Sequence, residues 1–431
     1  MMRFHVSSTR SRKSFPAWLI ALTVIFTAAL VASAQTTIST GSIVGTVTDA
    51  SGAVVGAAKV SIINNGTGHT MTTATNSSGA FNSGALVPGQ YLVRVEARNF
   101  KTTETPITVQ VNVTSTVNSR LTVGQSTEVV EVQANELGVN TEQATVQGVL
   151  TTDQIENLPI NGRNFMDLAQ LEPGVQIQDG GTFDPTKNGF SSISFGGRFG
   201  RTARIEVDGV DVSDETVGTT TQNLPLGAIQ ESSLQQSSLD LSTELTSSGS
   251  VNLTTKSGTN GLHGEGFYYF RDQRLNAALP AGSTNPFQRN QFGGSIGGPI
   301  MKDKLFFFLD AERNKQDFVN PVLPGGSFTG LTGNFSSPFR ENQAIGRLDY
   351  QIRNNAKAFY RFTFDQNHST LPFIPNSFQP FANVNHARDH VVGLDFNTGS
   401  FTHSVRFGYT KFENGITDAV TGSSIFNPTP G

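Results

Sequence analysis

The stretch ENQAIGRLDYQIRNNAKAFYRFTFDQN, residues 341–367, alternates residue by residue, a pattern that few folds accommodate. Ala344, Gly346, Leu348, Tyr350 and Ile352 share one parity, and Gln343, Arg347, Asp349 and Gln351 share the other. Past Arg353-Asn354-Asn355 the pattern restarts. Ala356, Ala358, Tyr360, Phe362 and Phe364 lie on one side, with Lys357, Arg361, Thr363 and Asp365 opposite. A period of two residues specifies strands with one apolar and one polar face. The short Asn-rich connection makes them an antiparallel hairpin. What remains is to decide which solvent each face meets.

The rest of the C-terminal half answers that question. Strands are expected near 263–271, 290–300, 305–313, 341–352, 356–366, 389–398 and 401–413. Tight turns at 301–304, 353–355 and 399–400 alternate with long segments at 272–289, 314–340 and 367–388. Short turns at one end and long loops at the other mark an outer-membrane barrel. Phe401, Val405, Phe407 and Tyr409 then face lipid, opposite Thr402, Ser404, Arg406 and Thr410 on the lumen side. A closed barrel satisfies every backbone group in lipid. A soluble sandwich also alternates, but it needs a packing partner for each apolar face and predicts no alternation of loop lengths. Of the 32 Phe, 22 follow Gly261, which suits the lipid-facing reading. Seven strands cannot close a bacterial single-chain barrel, which uses an even number. A plugged transporter has about 22 strands. With the chain ending in SSIFNPTPG inside a long loop, a fragment or truncated product is expected.

Composition narrows the class further. A net charge of −4 gives no electrostatic case for nucleic acid, and zero Cys removes disulfides and thiol chemistry. Arg3, Arg10, Arg12 and Lys13 precede the apolar run AWLIALTVIFTAALV and the small residues Ala32-Ser33-Ala34. This is a secretory signal over 1–34, with cleavage expected between Ala34 and Gln35. An uncleaved anchor is the alternative, although the run is short for a spanning helix.

Residues 41–123 read as short strands with turns at Asp49-Ala50-Ser51-Gly52, Asn76-Ser77-Ser78-Gly79 and Pro88-Gly89-Gln90. The motifs GTVTD (45–49), SGAF (78–81) and LVPGQY (86–91) resemble the carboxypeptidase regulatory-like domain. That resemblance implies a prealbumin-like β-sandwich, related to carbohydrate-binding folds. Residues 124–142 form a linker. Within it, Glu128, Val129, Val130, Glu131 and Val132 are either a last sandwich strand or something the next segment must explain. Residues 143–260 mix signals. Thr152 or Asp153 caps a short helix stopped at Pro159, a second helix runs over 164–171, and SSISFGG, ARIEVDGVDV and SGSVNLTTKSGTN read as strands.

The motifs ISFGGR (193–198), IEVDGV (205–210) and GSVNLTTKSG (249–258) resemble the plug of TonB-dependent outer-membrane receptors. Together with the sandwich and KSGTNGLHGEGFYYFRD, they are most similar to the Oar-like branch. The fold expected is mainly β: an N-terminal sandwich, an α+β plug, and the first strands of an antiparallel barrel over 262–431. The resemblance makes Glu128–Val132 a TonB-box candidate, through which the TonB protein of the inner membrane would add a strand and pull. It also implies an outer-membrane location and an extracellular ligand, carbohydrate or peptide. Phe318, Phe328, Phe335, Phe373, Phe378 and Phe381 lie in the expected loops and are suited to stacking on it.

Chemistry of other kinds finds little support. No HExxH motif appears, and no enzyme, metal or cofactor is expected. His386 and His390 read as lumen or loop histidines. Arg198, Arg201 and Arg204 either pair with lumen carboxylates such as Asp349, Asp365 or Asp395, or form an exposed basic loop. An adhesion or structural protein of the same architecture, and an exported carbohydrate-binding module, are the alternative functions.

Overall fold

The computed structural model describes residues 39–124, 129–131, 146–158, 160–180, 187, 189–214, 216–237, 246, 248–277, 286–372, 380–398 and 401–420. The expected signal segment and its Ala34–Gln35 cleavage point lie outside these residues, as do Glu128 and Val132.

The first strands are β1 (Ser42–Asp49), β2 (Lys59–Asn64), β3 (Thr70–Ala74), β4 (Ala80–Asn82), β5 (Gly89–Glu96), β6 (Thr102–Val109), β7 (Thr114–Thr116) and β8 (Ser119–Leu121). In one sheet β4 pairs antiparallel with β1, while β7 and β8 pair with it in parallel. The other sheet runs β3-β2-β5-β6 and ends on β9 (Val129–Glu131). Between them lies a conventional core containing Ile43, Val47, Val60, Ile62, Val93 and Leu121. The sequence motifs have local causes. Asp49 accepts from the N–H groups of Ser51 (2.8 Å) and Ala53 (2.9 Å), and Asn76 does the same for Ser78 and Ala80 (both 2.9 Å). One Asx loop is therefore used twice. Gly45 is required by close approach, because a Cβ there would lie 1.8 Å from the Val117 carbonyl oxygen. Tyr91 of LVPGQY is buried and donates to the Val87 carbonyl at 2.9 Å; burial pushes its hydroxyl up to about 12.

The second module contains β10 (Val146–Leu150), α1 (Thr152–Asn157), a 3-10 helix (Phe165–Leu171), β11 (Val175–Asp179), β12 (Ser191–Phe195), β13 (Arg204–Val207), β14 (Val210–Asp211), β15 (Ile229–Ser237) and β16 (Ser250–Thr255). Its main sheet is ordered β10-β15-β16-β13-β14, with β13 and β16 parallel and the other neighbours antiparallel. Two helix expectations are corrected. The N-cap of α1 is Thr151, whose N–H donates to the Gln154 side chain at 3.0 Å in a capping box. The second helix is 3-10, capped by Asn164 accepting from Met166 N–H at 3.0 Å. This module also has its own apolar core, which includes Leu150, Ile155, Phe165, Ile193, Ile205 and Leu253.

The wall consists of β17 (His263–Asp272), β18 (Phe287–Met301), β19 (Leu305–Val322), β20 (Gly333–Ser336), β21 (Phe339–Arg353), β22 (Ala356–Pro372), β23 (Pro380–Thr398) and β24 (Phe401–Asp418). They follow in sequence order as one antiparallel sheet, with β20 paired to the end of β19. These strands outrun the alternating segments, and part of the stretch expected as the loop 314–340 is the β19–β20 hairpin. The ladder continues after the apolar alternation stops because a strand beyond the lipid still needs partners for its backbone.

The faces fall as expected. Phe407 is 69% exposed, and Leu309, Leu348, Tyr350, Ile352, Val405 and Tyr409 are also exposed. On the other parity Asp310, Arg347, Arg361, Asp365, Asp389 and Asp395 are buried. Two details differ. Phe306, Phe308, Ile345 and Phe359 are buried on the inner face. His386 and His390 have the outward parity of β23, alternating with buried Asn385 and Asp389, rather than a lumen or loop position. His390 there meets the Tyr360 hydroxyl at 2.8 Å.

Candidate functional site

The buried inner face of the wall needs polar partners, and the second module supplies them. The IEVDGV motif folds into a hairpin in which Asp208 (φ 51°) and Gly209 (φ 81°) form the turn between β13 and β14. Asp and Gly are the residues that tolerate such a turn. Asp208 is 1% exposed and accepts from Thr255 N–H (3.0 Å) and Thr255 Oγ1 (2.8 Å). Arg347 of β21 approaches one carboxylate oxygen at 3.0 Å, and Arg361 of β22 the other at 2.8 Å. The Asp208 carbonyl also accepts from Arg406 of β24 at 3.1 Å. Burial alone would raise the Asp208 carboxyl. Arg347, then Arg361 and the Thr255 donors, outweigh it and bring it down to about 2.

Asp208 resolves a conflict within the wall. Arg347 and Arg361 are direct cross-strand partners, a position where like charges repel. Each has an acid on its own side, Asp349 for Arg347 (2.8 Å) and Asp389 for Arg361, but Asp208 touches both. Asp389 is held in turn by Thr410 (2.9 Å) and, from the inner module, by Gln222 (3.4 Å). The Phe359 ring lies 4.4 Å from the Arg347 guanidinium and 5.1 Å from that of Arg406, which explains an aromatic on the polar parity.

Further seats have the same character. Arg163 makes a two-point contact with Glu312 of β19, at 2.7 and 3.2 Å, and its guanidinium lies 3.9 Å from the Phe267 ring centre. Asn223 donates its backbone N–H to Asp365 (2.8 Å) and its side-chain amide to Glu341 (2.9 Å). Among the described residues, apolar contact across this boundary includes a small cluster of Ala228 with Phe308 and Ile345 and an edge-on pair of Phe190 with Phe412, ring centres 6.1 Å apart. The inner module is thus folded around its own core and held to the wall chiefly by hydrogen bonds and ion pairs. Such an arrangement can be reseated without unmaking a hydrophobic core.

The expected arginine cluster is not where the seats lie. Arg204 pairs with Asp211 in its own hairpin at 2.6 Å, Arg201 donates to the Thr216 carbonyl, and Arg198 is exposed in the turn after β12. The three wall carboxylates named for them are held by other groups: Asp349 by Arg347, Asp365 by Asn223, and Asp395 by Arg406 (2.8 Å). The charge pattern is largely reversed, with an inner-module acid between wall cations. Of the expected aromatic loop residues, Phe318 and Phe381 belong to β19 and β23, and Phe381 is buried. Phe328 and Phe335 are exposed, and Phe373 and Phe378 lie outside the described residues. Sequence reasoning missed Asp208, Arg163, Glu312, Arg347 and Arg361 as site residues. The available signal was the inward parity of a charged residue on a strand whose other face is apolar.

Val129–Glu131 forms β9 and runs parallel to β6, with Thr102 opposite Val129, Thr103 opposite Val130 and Glu104 opposite Glu131. The central residues of the TonB-box candidate therefore extend the edge of the sandwich.

Comparison with known proteins agrees with this geometry. Residues 254–323 match the outer membrane beta barrel domain family, and residues 42–122 match the carboxypeptidase regulatory-like domain family. The TonB-dependent transporter Oar of Myxococcus xanthus is 25% identical over 323 residues, covering 66% of this chain and 29% of that protein. Among solved structures, the outer membrane transporter YddB from Escherichia coli is similar in fold, with a TM-score of 0.52 at 13% identity. That match covers 63% of this chain and 40% of the YddB chain. The chain thus spans well under half the length of these relatives.

Proposed function

We propose that the chain is a TonB-dependent outer-membrane transporter of the Oar-like branch, and that it carries the gating half of an energy-coupled uptake system. In this reading residues 143–260 are the plug, residues 262–431 are barrel wall, and residues 1–34 are removed after export. The outer membrane holds no nucleotide fuel, so work must arrive mechanically. Glu128–Val132 receives it as a TonB box, by β-augmentation from TonB. The ligand is a bulky extracellular molecule, carbohydrate or peptide, met by the long-loop end where Phe328 and Phe335 are exposed.

The observation that carries the reading is the seat itself. A plug with its own core is joined to the wall through Asp208, Arg163 and Asn223. Each such bond can be exchanged for water as the plug moves, so a pull can open a path without unfolding the domain. A second reading is favoured by β9. If Val129–Glu131 serves only as a sandwich strand, the same architecture is an adhesion or structural protein without coupling.

Crosslinking separates the two. The chain has no cysteine, so Val130→Cys is a unique thiol. In energised cells it should form a mixed disulfide with a cysteine-bearing TonB, and removing residues 128–132 should abolish TonB capture. Absence of that crosslink at any TonB cysteine position would sink the transport reading and leave the structural one.

A further inference from the structure

The sandwich does not hang free below the barrel. It touches the tight-turn end of the wall and the adjacent plug at separate points. The Asn260 backbone donates to the Gly66 carbonyl (3.0 Å), and its side chain donates to the Thr67 carbonyl and to Asp303 in the turn after β18 (both 2.6 Å). Asn397, near the end of β23, reaches the Ser83 carbonyl at 3.5 Å, and Arg406 reaches Ser39 at 2.8 Å. Val111 donates its N–H to Glu231 of the plug at 2.8 Å. Tight turns mark the periplasmic end of such barrels. The sandwich therefore sits across part of the exit.

This closure is a latch rather than a fused interface. Between the sandwich and the rim is a cavity of about 1570 Å3, lined by His69, Gln90, Glu231, Asp349, Lys357 and Asn397 among others. Direct contact is thus polar and scattered. Glu231 is 3% exposed and, among the described residues, accepts from a neutral N–H group, so docking carries the cost of desolvating a carboxylate. Undocking returns that cost.

The same sandwich also bears β9. Traction on β9 is borne by the β6–β9 ladder, and hence by the sandwich. We propose that the sandwich is a periplasmic lid on the exit, and that TonB, pulling through β9, unlatches it. This rests on the reading of Glu128–Val132 as the TonB box.

The test uses the full-length protein in its own outer membrane. Val111→Cys places a single thiol at the latch, where the wild-type residue is fully buried, and Thr67→Cys places one at the Asn260 contact. Each is labelled with a small maleimide in energised cells, in cells lacking TonB, and after a protonophore. The expected result is labelling at least about tenfold faster with energised TonB than in the other two states, at both positions. Equal rates in all three states, while Val130→Cys still crosslinks to TonB, would overturn the lid and leave the transport reading intact. Loss of the Val130→Cys crosslink as well would overturn both. If Val111→Cys fails to reach the membrane, Thr67→Cys alone decides, because its backbone carbonyl contact survives the substitution.

Discussion

The sandwich and the wall are written in the same two-residue alphabet and solve opposite problems. In β1, β2 and β5 the apolar parity turns inward and builds a dry core from Ile43, Val60, Ile62 and Val93. In β21, β22 and β24 the apolar parity turns outward, and the inward parity is Arg347, Arg361, Asp365 and Arg406. Alternation therefore specifies a strand and its two faces, while the surroundings decide which face is hidden. A dry core needs only volume and fit. A buried polar face needs partners for its groups, and here the wall supplies some and the inner module the others.

Apolar-to-charged changes should break this comparison most sharply. Val93→Asp buries an unpaired carboxylate in the sandwich core, at a cost on the order of 5 kcal/mol or more, enough to unfold the module. Limited proteolysis should then cut within residues 41–124 while the wall stays protected.

Asp208→Asn comes next. It leaves Arg347 and Arg361 opposed, although Asp349 and Asp389 still neutralise them in part, so about 3 kcal/mol of plug seating should be lost. Entry of a large antibiotic into cells expressing the full-length protein would report it. The double variant with Arg361→Gln should lose less than the sum of the two single changes. Since Asp208 is held down to about 2 from its ordinary 3.8, its contribution is full above pH 4 and fades as pH falls towards 2. The Asn variant should show a flatter acid profile over that window.

On the outer face, Phe407→Arg should cost about 2 kcal/mol near mid-membrane, read as a shift in urea unfolding in lipid vesicles. The smallest effect concerns Glu231. Burial raises its carboxyl to about 7 from its ordinary 4.5, with the Val111 N–H opposing. The docked state thus holds the proton more tightly than the undocked state. Docking is strongest below pH 4.5 and weakens as pH rises to 7. Glu231→Gln keeps the acceptor for Val111 and should remove that dependence, seen as Val111→Cys labelling whose rise between pH 5 and 7 falls to that of an exposed thiol, set by thiolate formation alone.

How much of this was legible follows from the same contrast. The Asx turns at Asp49 and Asn76 and the alternation of β21 and β22 are local signals, and they read correctly. Strand β15 drew no expectation, because IQESSLQQS has little apolar alternation; Glu231, Ser232, Ser233 and Gln235 are nonetheless buried beside β10 and β16. The seat was illegible for a different reason. Arg347 and Arg361 lie 139 and 153 residues beyond Asp208, and parity says that a side chain points inward without saying whom it meets. The arginines of 198–204 drew attention because they are clustered, whereas the working charges are dispersed over β19, β21, β22 and β24.

The shared carboxylate of Asp208 also bears on the order of biogenesis. Zipping β21 onto β22 brings two guanidinium groups to adjacent rungs, and the anion that touches both belongs to a segment synthesised earlier. On the transport reading, the plug would then be a template for the wall as well as its stopper. A wall assembled around it has its charges matched as the ladder forms, whereas a wall assembled empty must carry that opposition until a plug arrives.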